Sequence, residues 1–125
     1  MAVGARWWSR VVPVLAAATL LLAAGCGGGG SSSASDVPAL HGTQLQDAGL
    51  VEGRKVWAAN CTRCHGVNGQ GGIGPKLAGA VVGDFPDISD EIALVSNGKG
   101  IMPAWKNDLA PAQIRDVVRY TREVL

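Results

Sequence analysis

Apolar residues follow two different patterns along this chain. Near the N-terminus they form a continuous run, VVPVLAAATLLLAA, which follows Arg6 and Arg10. Beyond residue 47 they recur every three or four positions, which is the spacing of one face of an α-helix. The continuous run is too short to predict a membrane-spanning helix, and a charged region followed by an apolar region is typical of a secretory signal. We therefore expect residues 1–25 to be a signal peptide and the chain beyond residue 47 to be mainly helical.

The first helix is predicted to begin after Asp47 and to run through GLVEGRKVWAANC. Aspartate is a preferred N-cap because its carboxylate accepts hydrogen bonds from the free amides of the first turn. Leu50, Gly53 and Trp57 fall on one face of this helix. The helix leads directly into a pair of cysteines, so it positions whatever chemistry they carry.

The second helix is predicted within DISDEIALVSNG. Asp87 or Ser89 is its expected N-cap, Asp90 and Glu91 suit the positive end of its dipole, and Gly98 ends it. Its apolar stripe is predicted to consist of Ile88, Ile92 and Val95. This helix is short, but both of its ends are clearly marked.

The third helix is predicted to begin at Pro111, since proline is favoured at the first helical position, and to run to the C-terminus. Its stripe consists of Ile114, Val117, Val118, Thr121, Val124 and Leu125. Ala110 is a weak residue for its cap position. The Gly-rich stretch between the first two helices shows no strand pattern and is long for a connection in a small domain. We expect an all-α fold in which some further group organises that stretch.

Composition and charge narrow the possible functions. The chain has 125 residues, enough for one domain, and the leader inflates its hydrophobic content of 47%. Without Arg6 and Arg10, nine basic residues face ten acidic ones, which gives a net charge near −1. No basic block predicts nucleic-acid binding, and no Ser-His-Asp set, paired carboxylates or phosphate loop predicts catalysis. The folded part, predicted to be residues 44–125, would fill a core with difficulty and needs a stabilising group.

The segment Cys61-Thr62-Arg63-Cys64-His65 has the C-x-x-C-H spacing of covalent haem attachment. If the first helix continues through Cys61, then Cys64 follows one turn later and His65 follows at the fourth position. All three side chains can then project from the same side of the helix. One flat ligand could form thioether bonds with both cysteines there and bind the imidazole of the histidine.

Two other chemistries use paired cysteines, and both fit less well. A structural zinc site would need another Cys or His, and the chain offers only Cys26 and His41. A thioredoxin-like dithiol would need a strand before the motif and a βαβ frame, which the helical pattern does not provide. The sequence therefore favours one covalent haem c.

A haem iron bound by one histidine has a second axial position, for which Met102 is the leading candidate. Met1 leaves with the signal, and Met102 lies in the loop GKGIMPAW, beside the rigid Pro103. A thioether is a neutral, soft ligand that favours the ferrous state and so raises the reduction potential. Lys99, His41 or an open position are the alternatives.

Three motifs, CTRCHG, GIGPKL and NGKGIMPAW, together resemble the class I c-type cytochromes over about residues 45–125. The resemblance implies three to four helices around one haem that is attached at Cys61 and Cys64 and ligated by His65 and Met102. It also implies that the backbone carbonyl of Pro75 accepts a hydrogen bond from the other ring nitrogen of the histidine.

Further residues have expected supporting roles. Gly53, Trp57 and Tyr120 are similar to the family's helix-crossing contact, in which a glycine allows close approach and aromatic rings seal it. Trp105 is expected to bind the haem or its propionates, with core packing as the alternative. Four basic residues near the haem-binding segments could form a docking rim for a redox partner: Arg63, Lys76, Lys99 and Lys106.

The end of the leader, LLAAGC, is similar to the lipobox of bacterial lipoproteins, although Ala23 stands where leucine is usual. We expect Cys26 to be lipidated and residues 26–43 to form a Gly/Ser-rich tether. The protein would then be anchored to the outer face of the bacterial cell membrane, which is the periplasmic side in a Gram-negative organism.

The expected function is one-electron transfer in a membrane-associated respiratory chain by a monomer that is not itself an enzyme. Its partners would be redox proteins, including a terminal oxidase or a quinol-oxidising complex. One alternative is a haem-bearing subunit through which electrons enter a larger oxidase or dehydrogenase complex. A second alternative is a ligand-binding or peroxidatic haem, which would require Met102 to be off the iron.

Overall fold

The computed structural model describes residues 33–125, in which the regular elements are helices. In chain order these are α1 (Ala48–Val56), α2 (Thr62–His65), α3 (Val81–Asp84), α4 (Ile88–Asn97) and α5 (Pro111–Glu123). Short 3₁₀ turns cover Gly42–Gln46 and Trp105–Asn107. The prediction of an all-α fold is confirmed. Within residues 33–125, no helix has the length and apolar character needed to cross a membrane.

The first predicted helix forms α1, a wider π-helical turn over Trp57–Cys61, and α2, without a break between them. Asp47 caps it as expected, because its Oδ1 accepts from the amides of Gly49 and Leu50 at 2.9 and 3.1 Å. The π turn was not predicted. The Asn60 side chain donates to a main-chain carbonyl there, that of Val56, at 3.0 Å. Insertions of this kind often mark functional sites, and this one ends at Cys61.

Helices α1 and α5 pack closely at the predicted crossing. A Cβ at Gly53 would overlap the main-chain carbonyl of Asp116, so only glycine permits this approach. Trp57 and Tyr120 seal the crossing, with ring centroids 6.2 Å apart at an angle of 41°. Arg119 holds one end by donating to both oxygens of Asp47 at 3.0 and 2.7 Å. This crossing is the centre of the core.

Helix α5 begins at Pro111 as predicted and buries most of its expected stripe, namely Ile114, Val117, Val118 and Thr121. The weak cap at Ala110 is compensated by Gln113, whose Oε1 accepts from the Ala110 amide at 3.1 Å. The backbone amide is therefore satisfied even though the cap residue has no polar side chain.

The predicted stripe of α4 is partly wrong. The helix is capped by Asp87 and ends at Gly98 as expected, but Ile88 is 39% exposed and Glu91 is 3% exposed. The buried side of α4 is rotated away from the predicted stripe and towards Glu91, because the Glu91 carboxylate binds Thr121 and Arg122 of α5.

Residues that precede the first helices also contribute side chains to the core. Residues 33–41, here called the N-terminal strap, pack against the helix crossing through the buried side chains of Val37 and Leu40. The Pro38 carbonyl accepts from Arg54 Nε at 2.9 Å and from the Tyr120 hydroxyl at 2.8 Å. These buried groups precede residue 44, so the core includes side chains from outside the predicted domain bounds, which stay a prediction. Cys26 and the predicted signal peptide lie outside the described residues.

Candidate functional site

A cavity of about 420 Å³ opens between α2, α4 and α5 and the loops around them. All of the predicted cofactor-binding residues line it: Cys61, Cys64, His65, Pro75, Met102 and Trp105. Apolar side chains from α4 and α5, such as Leu94, Val117 and Val118, form much of the remaining wall. Residues that are far apart in sequence therefore meet around one mainly apolar space.

Cys61 and Cys64 have free, half-buried thiols. Burial, together with the nearby charge of Cys64, raises the pKa of Cys61 to about 12. A thiol that stays protonated is a poor attacking group in a redox dithiol. Among residues 33–125, no group of three or more His, Cys, Asp or Glu side chains could hold a metal ion without haem. The raised pKa of Cys61 therefore disfavours a redox dithiol at this position.

His65 is held in one orientation. Its Nδ1 lies 2.9 Å from the Pro75 carbonyl oxygen, which is the contact implied by the family resemblance. Because a carbonyl can only accept, Nδ1 donates, and Nε2 of the neutral ring keeps a free lone pair. Gly74 packs against the ring so closely that an added Cβ would lie 2.7 Å from its Cε1 atom. The imidazole is only 8% exposed and is ready to act as a ligand.

Main-chain hydrogen bonds fasten the Gly-rich stretch to the attachment motif. The amides of Gly71 and Gly74 donate to the carbonyls of His65 and Cys64, both at 2.8 Å. Trp57 donates from Nε1 to the Val67 carbonyl at 3.1 Å. These bonds, together with the cavity-lining residues, organise the stretch that the sequence left unexplained.

Met102 lies half-buried in the loop after α4 and lines the same cavity as His65. Its main chain pairs with that of Lys99 through two hydrogen bonds of 3.2 and 3.1 Å. Lys99 also lines the cavity, so it remains the alternative ligand. His41 is exposed at the start of the first 3₁₀ turn and is not among the lining residues. Trp105 borders the cavity from the second 3₁₀ turn.

The sequence missed Glu91 as a site residue. Its buried carboxylate lines the cavity, accepts from Thr121 Oγ1 at 2.8 Å and pairs with Arg122 at 3.1 Å. Burial raises the pKa of Glu91, while the hydrogen bonds from Thr121 and Arg122 oppose the shift. The only signal in the sequence was its spacing from Leu94 and Val95, which places it on their side of α4. A charged residue in the first helical turn is more often explained by the helix dipole.

The predicted docking rim is exposed. Arg63, Lys76, Lys99 and Lys106 all have exposed side chains, and Lys99 lies at the cavity itself. Two apolar side chains stand beside the same opening, Ile73 at 68% exposure and Ile101 at 81% exposure.

The donor set fits haem c. Two free thiols stand at attachment spacing, one imidazole nitrogen is available, and a thioether lines the same apolar cavity. This is the set that a c-type haem requires for covalent attachment and for two axial ligands.

A family model described as cytochrome c oxidase, cbb3-type, subunit III matches residues 48–120. The cbb3-type cytochrome c oxidase subunit FixP of Azorhizobium caulinodans is 36% identical over 73 residues, which are 55% of this chain and 25% of that protein. Cytochrome c6 of Leptolyngbya boryana is 40% identical over 76 residues, which are 58% of this chain and 89% of that protein. The chain thus spans a quarter of one relative and most of the other.

Solved structures agree with these matches. Cytochrome c6 from the diatom Phaeodactylum tricornutum has a TM-score of 0.51 at 28% identity, covering 58% of this chain and 88% of that chain. Haem c, bound covalently, is the cofactor of such proteins. From the family model, the two relatives and the shared fold, we conclude that the chain belongs to the cytochrome c family, in the group described as cbb3-type oxidase subunit III.

Proposed function

We propose that this protein is a one-electron carrier with one covalent haem c, acting in a membrane-associated respiratory chain. The observation that carries the proposal is the convergence of the attachment cysteines, His65 and Met102 on one apolar cavity. When bound, the haem supplies an Fe(III)/Fe(II) couple. The relatives named cytochrome c6 and cbb3-type oxidase subunit support this class of function.

Each site residue has a defined task in this proposal. Cys61 and Cys64 form the thioether bonds that keep the cofactor from dissociating. His65 donates from Nδ1 to the Pro75 carbonyl, which fixes the ring and raises the basicity of Nε2 as an axial ligand. Met102 would supply a second ligand to the iron, and its neutral thioether would favour the reduced state and exclude exogenous ligands. A closed site of this kind favours a carrier over an enzyme.

We further propose that the mature protein begins at lipidated Cys26 and works on the outer face of the cell membrane, with the N-terminal strap connecting the tether to the domain. The charged and apolar leader and the LLAAGC ending support this location. The exposed basic side chains near the cavity support transient docking to a redox protein, such as a terminal oxidase or a quinol-oxidising complex.

A second candidate is a haem-bearing subunit that stays bound in a larger oxidase. The match to the cbb3-type subunit III model and the similarity to FixP favour it. Purification from native membranes in mild detergent distinguishes the two. A carrier elutes alone, whereas a resident subunit co-purifies in fixed ratio with other haem-containing chains.

Optical spectra and the intact mass of the matured protein test the cofactor assignment. We expect reversible ferric and ferrous c-type spectra, a weak near-infrared band from iron–sulfur ligation, and a mass that exceeds the polypeptide and lipid by one haem. Carbon monoxide should leave the reduced Soret band unchanged. A colourless protein, or a mass without haem, would refute the proposal.

A separate mass measurement tests the anchor. The mature N-terminal peptide should start at Cys26 and carry acyl chains, and Cys26→Ser should retain the leader or release the protein from the membrane. An unmodified Cys26 in a membrane-bound protein would contradict the lipid anchor but not the haem.

A further inference from the structure

Helix α4 places one ionisable side chain in the wall of the cofactor cavity. Glu91 is 3% exposed and lines this space beside Leu94 and Val95, whose side chains are apolar. A buried carboxylate is costly unless it is paired or protonated. An apolar residue at this position would fill the wall without that cost, so the carboxylate calls for an explanation.

The hydrogen bonds around Glu91 suit two protonation states. Thr121 Oγ1 lies 2.8 Å from Glu91 Oε1 and 2.7 Å from the Val118 carbonyl oxygen, but a hydroxyl has only one hydrogen. When Glu91 is a carboxylate, Thr121 donates to it. When Glu91 is protonated, its own O–H can donate to Thr121 Oγ1, and Thr121 then donates to Val118. Each state therefore has a complete set of hydrogen bonds.

Arg122 is also satisfied in both states. It donates from one nitrogen to Glu91 Oε2 at 3.1 Å and to the Phe85 carbonyl at 2.8 Å, and from the other to the Pro86 carbonyl at 3.4 Å. Loss of the negative charge on Glu91 consequently leaves the guanidinium with carbonyl acceptors. Arg122 does not force Glu91 to remain ionised.

We propose that Glu91 is a redox-linked proton site that couples the reduction of the cofactor to the uptake of one proton. The proposal rests on the assignment of the cavity to haem c. The oxidised state contains ferric haem and a Glu91 carboxylate. One electron from the donor protein and one proton from solvent convert it to ferrous haem and a Glu91 carboxylic acid, and no bond between heavy atoms changes.

The physical basis is the charge inside a poorly solvated cavity. An added electron removes one positive charge from the space that Glu91 faces, and this makes a nearby negative charge less favourable. Burial already raises the pKa of Glu91 and so brings its titration closer to neutral pH. Other ionisable groups that line the cavity or pack against α4 also contribute to the pH dependence of the midpoint potential. They are His65, Asp84, Lys99, Lys106 and Arg122. A variant that changes Glu91 alone separates its contribution from theirs.

The midpoint potential as a function of pH tests the coupling. In the full-length haem protein we expect the midpoint potential to fall as the pH rises through the titration of Glu91. The slope should be at most about 59 mV per pH unit, which is a tenfold change in the one-electron equilibrium constant. Glu91→Gln should raise the potential and remove this part of the slope. Thr121→Val should shift the pH range of the slope, because it removes the hydroxyl that serves both states.

Asp90→Asn is the matched control, since it makes the same change in charge at the neighbouring, exposed position of α4. It should keep the wild-type slope. A Glu91→Gln protein with the wild-type slope would overturn the proposal, and so would an Asp90→Asn protein that loses the slope to the same extent.

Infrared difference spectra of the wild-type protein give a second test that does not depend on any variant. Reduction should produce the C=O stretch of a protonated carboxyl group, and deuterated solvent should shift it. Absence of that band would overturn the role of Glu91 while leaving the haem assignment intact. A protein without covalent haem would instead overturn the proposed function on which this role rests.

Discussion

The two walls that carry the proposed axial ligands are fastened differently. The histidine wall, residues 61–78, is held by main-chain bonds of 2.8 Å from Gly71 and Gly74 and by the indole of Trp57. The methionine wall, residues 98–107, joins α4 at its ends, where the Gly98 amide and the Lys106 side chain donate at 2.8 and 2.9 Å. Around Met102, among the residues that the structure describes, it is held only by the main-chain pair with Lys99 at 3.2 and 3.1 Å. The protein itself therefore fixes the position of His65 more firmly than that of Met102.

This difference indicates where the site can change. A wall that is held by hydrogen bonds within the polypeptide should keep its shape in both the oxidised and the reduced haem protein. Under the proposed ligation, a bond from Met102 to iron would supply order that the polypeptide alone does not give this wall. We therefore expect the exchange of axial ligands and the first steps of unfolding to begin on the methionine side.

Trp57→Ala has the largest expected effect, because it breaks the histidine wall. Trp57 is 1% exposed, lies at the helix crossing and donates to the Val67 carbonyl. Its removal should lower the free energy of unfolding by about 3–5 kcal/mol, measured by urea denaturation of the haem protein. Trp105→Ala is the control on the methionine wall, where the half-buried side chain should contribute about 1–2 kcal/mol. Equal losses would contradict the difference between the walls.

Gly74→Ala should perturb the same wall less severely. The added methyl group would press on the His65 ring at 2.7 Å from Cε1 and disturb its bond to Pro75. We expect a loss of about 1–3 kcal/mol in urea denaturation, together with a shifted midpoint potential. Gly83→Ala adds a methyl group with no atom within 4 Å and should change stability by at most about 1 kcal/mol. If both variants behaved alike, the tight fit around His65 would be unimportant.

Met102→Ala should change the midpoint potential and the binding of exogenous ligands more than the free energy of unfolding. The haem stays attached through Cys61 and Cys64, but loss of the thioether should lower the midpoint potential by at least roughly 60 mV, a tenfold change in the equilibrium. The reduced protein should then bind carbon monoxide, seen as a shifted Soret band. Ile101→Ala changes the neighbouring residue, which is 81% exposed. It should neither lower the midpoint potential nor allow carbon monoxide to bind. An unchanged potential in Met102→Ala would remove Met102 from the axial role.

Acid should weaken the crossing of α1 and α5, on which the histidine wall rests through Trp57, and this effect should be the smallest. The hydrogen bond from Arg119 and those from the amides of Leu50 and Gly49 lower the pKa of Asp47 from 3.8 to about 2. Its contribution to stability is therefore complete above pH 3.8 and is lost as the pH falls towards about 2. Thermal unfolding across this range should show a steeper decline for the wild type than for Asp47→Asn. Asp108→Asn, at an exposed position, should follow the wild type.

Local signals were sufficient for the helices that meet at the crossing. The sequence predicts a helix cap at Asp47, a close helix approach at Gly53 and a buried face at Trp57. The structure contains all three features. The haem-attachment spacing is equally local, since three residues of one short segment define it. The roles of the predicted cofactor-binding residues remain predictions, although their side chains meet at one cavity.

Long-range contacts account for what the sequence did not indicate. The burial of Glu91 depends on Thr121 and Arg122, which lie about thirty positions later and show no visible pairing in the sequence. The N-terminal strap resembles a polar linker in composition, yet Val37 finds a place in the core. The buried face of a short helix is also difficult to predict when a charged residue supplies part of it.

The N-terminal strap has a mechanical consequence. Pro38 receives hydrogen bonds from both crossing helices, and no strap residue lines the cavity. Tension applied to the strap would therefore load the helix crossing first and not the walls of the cavity. The cavity walls would then keep their arrangement under a pull on the strap.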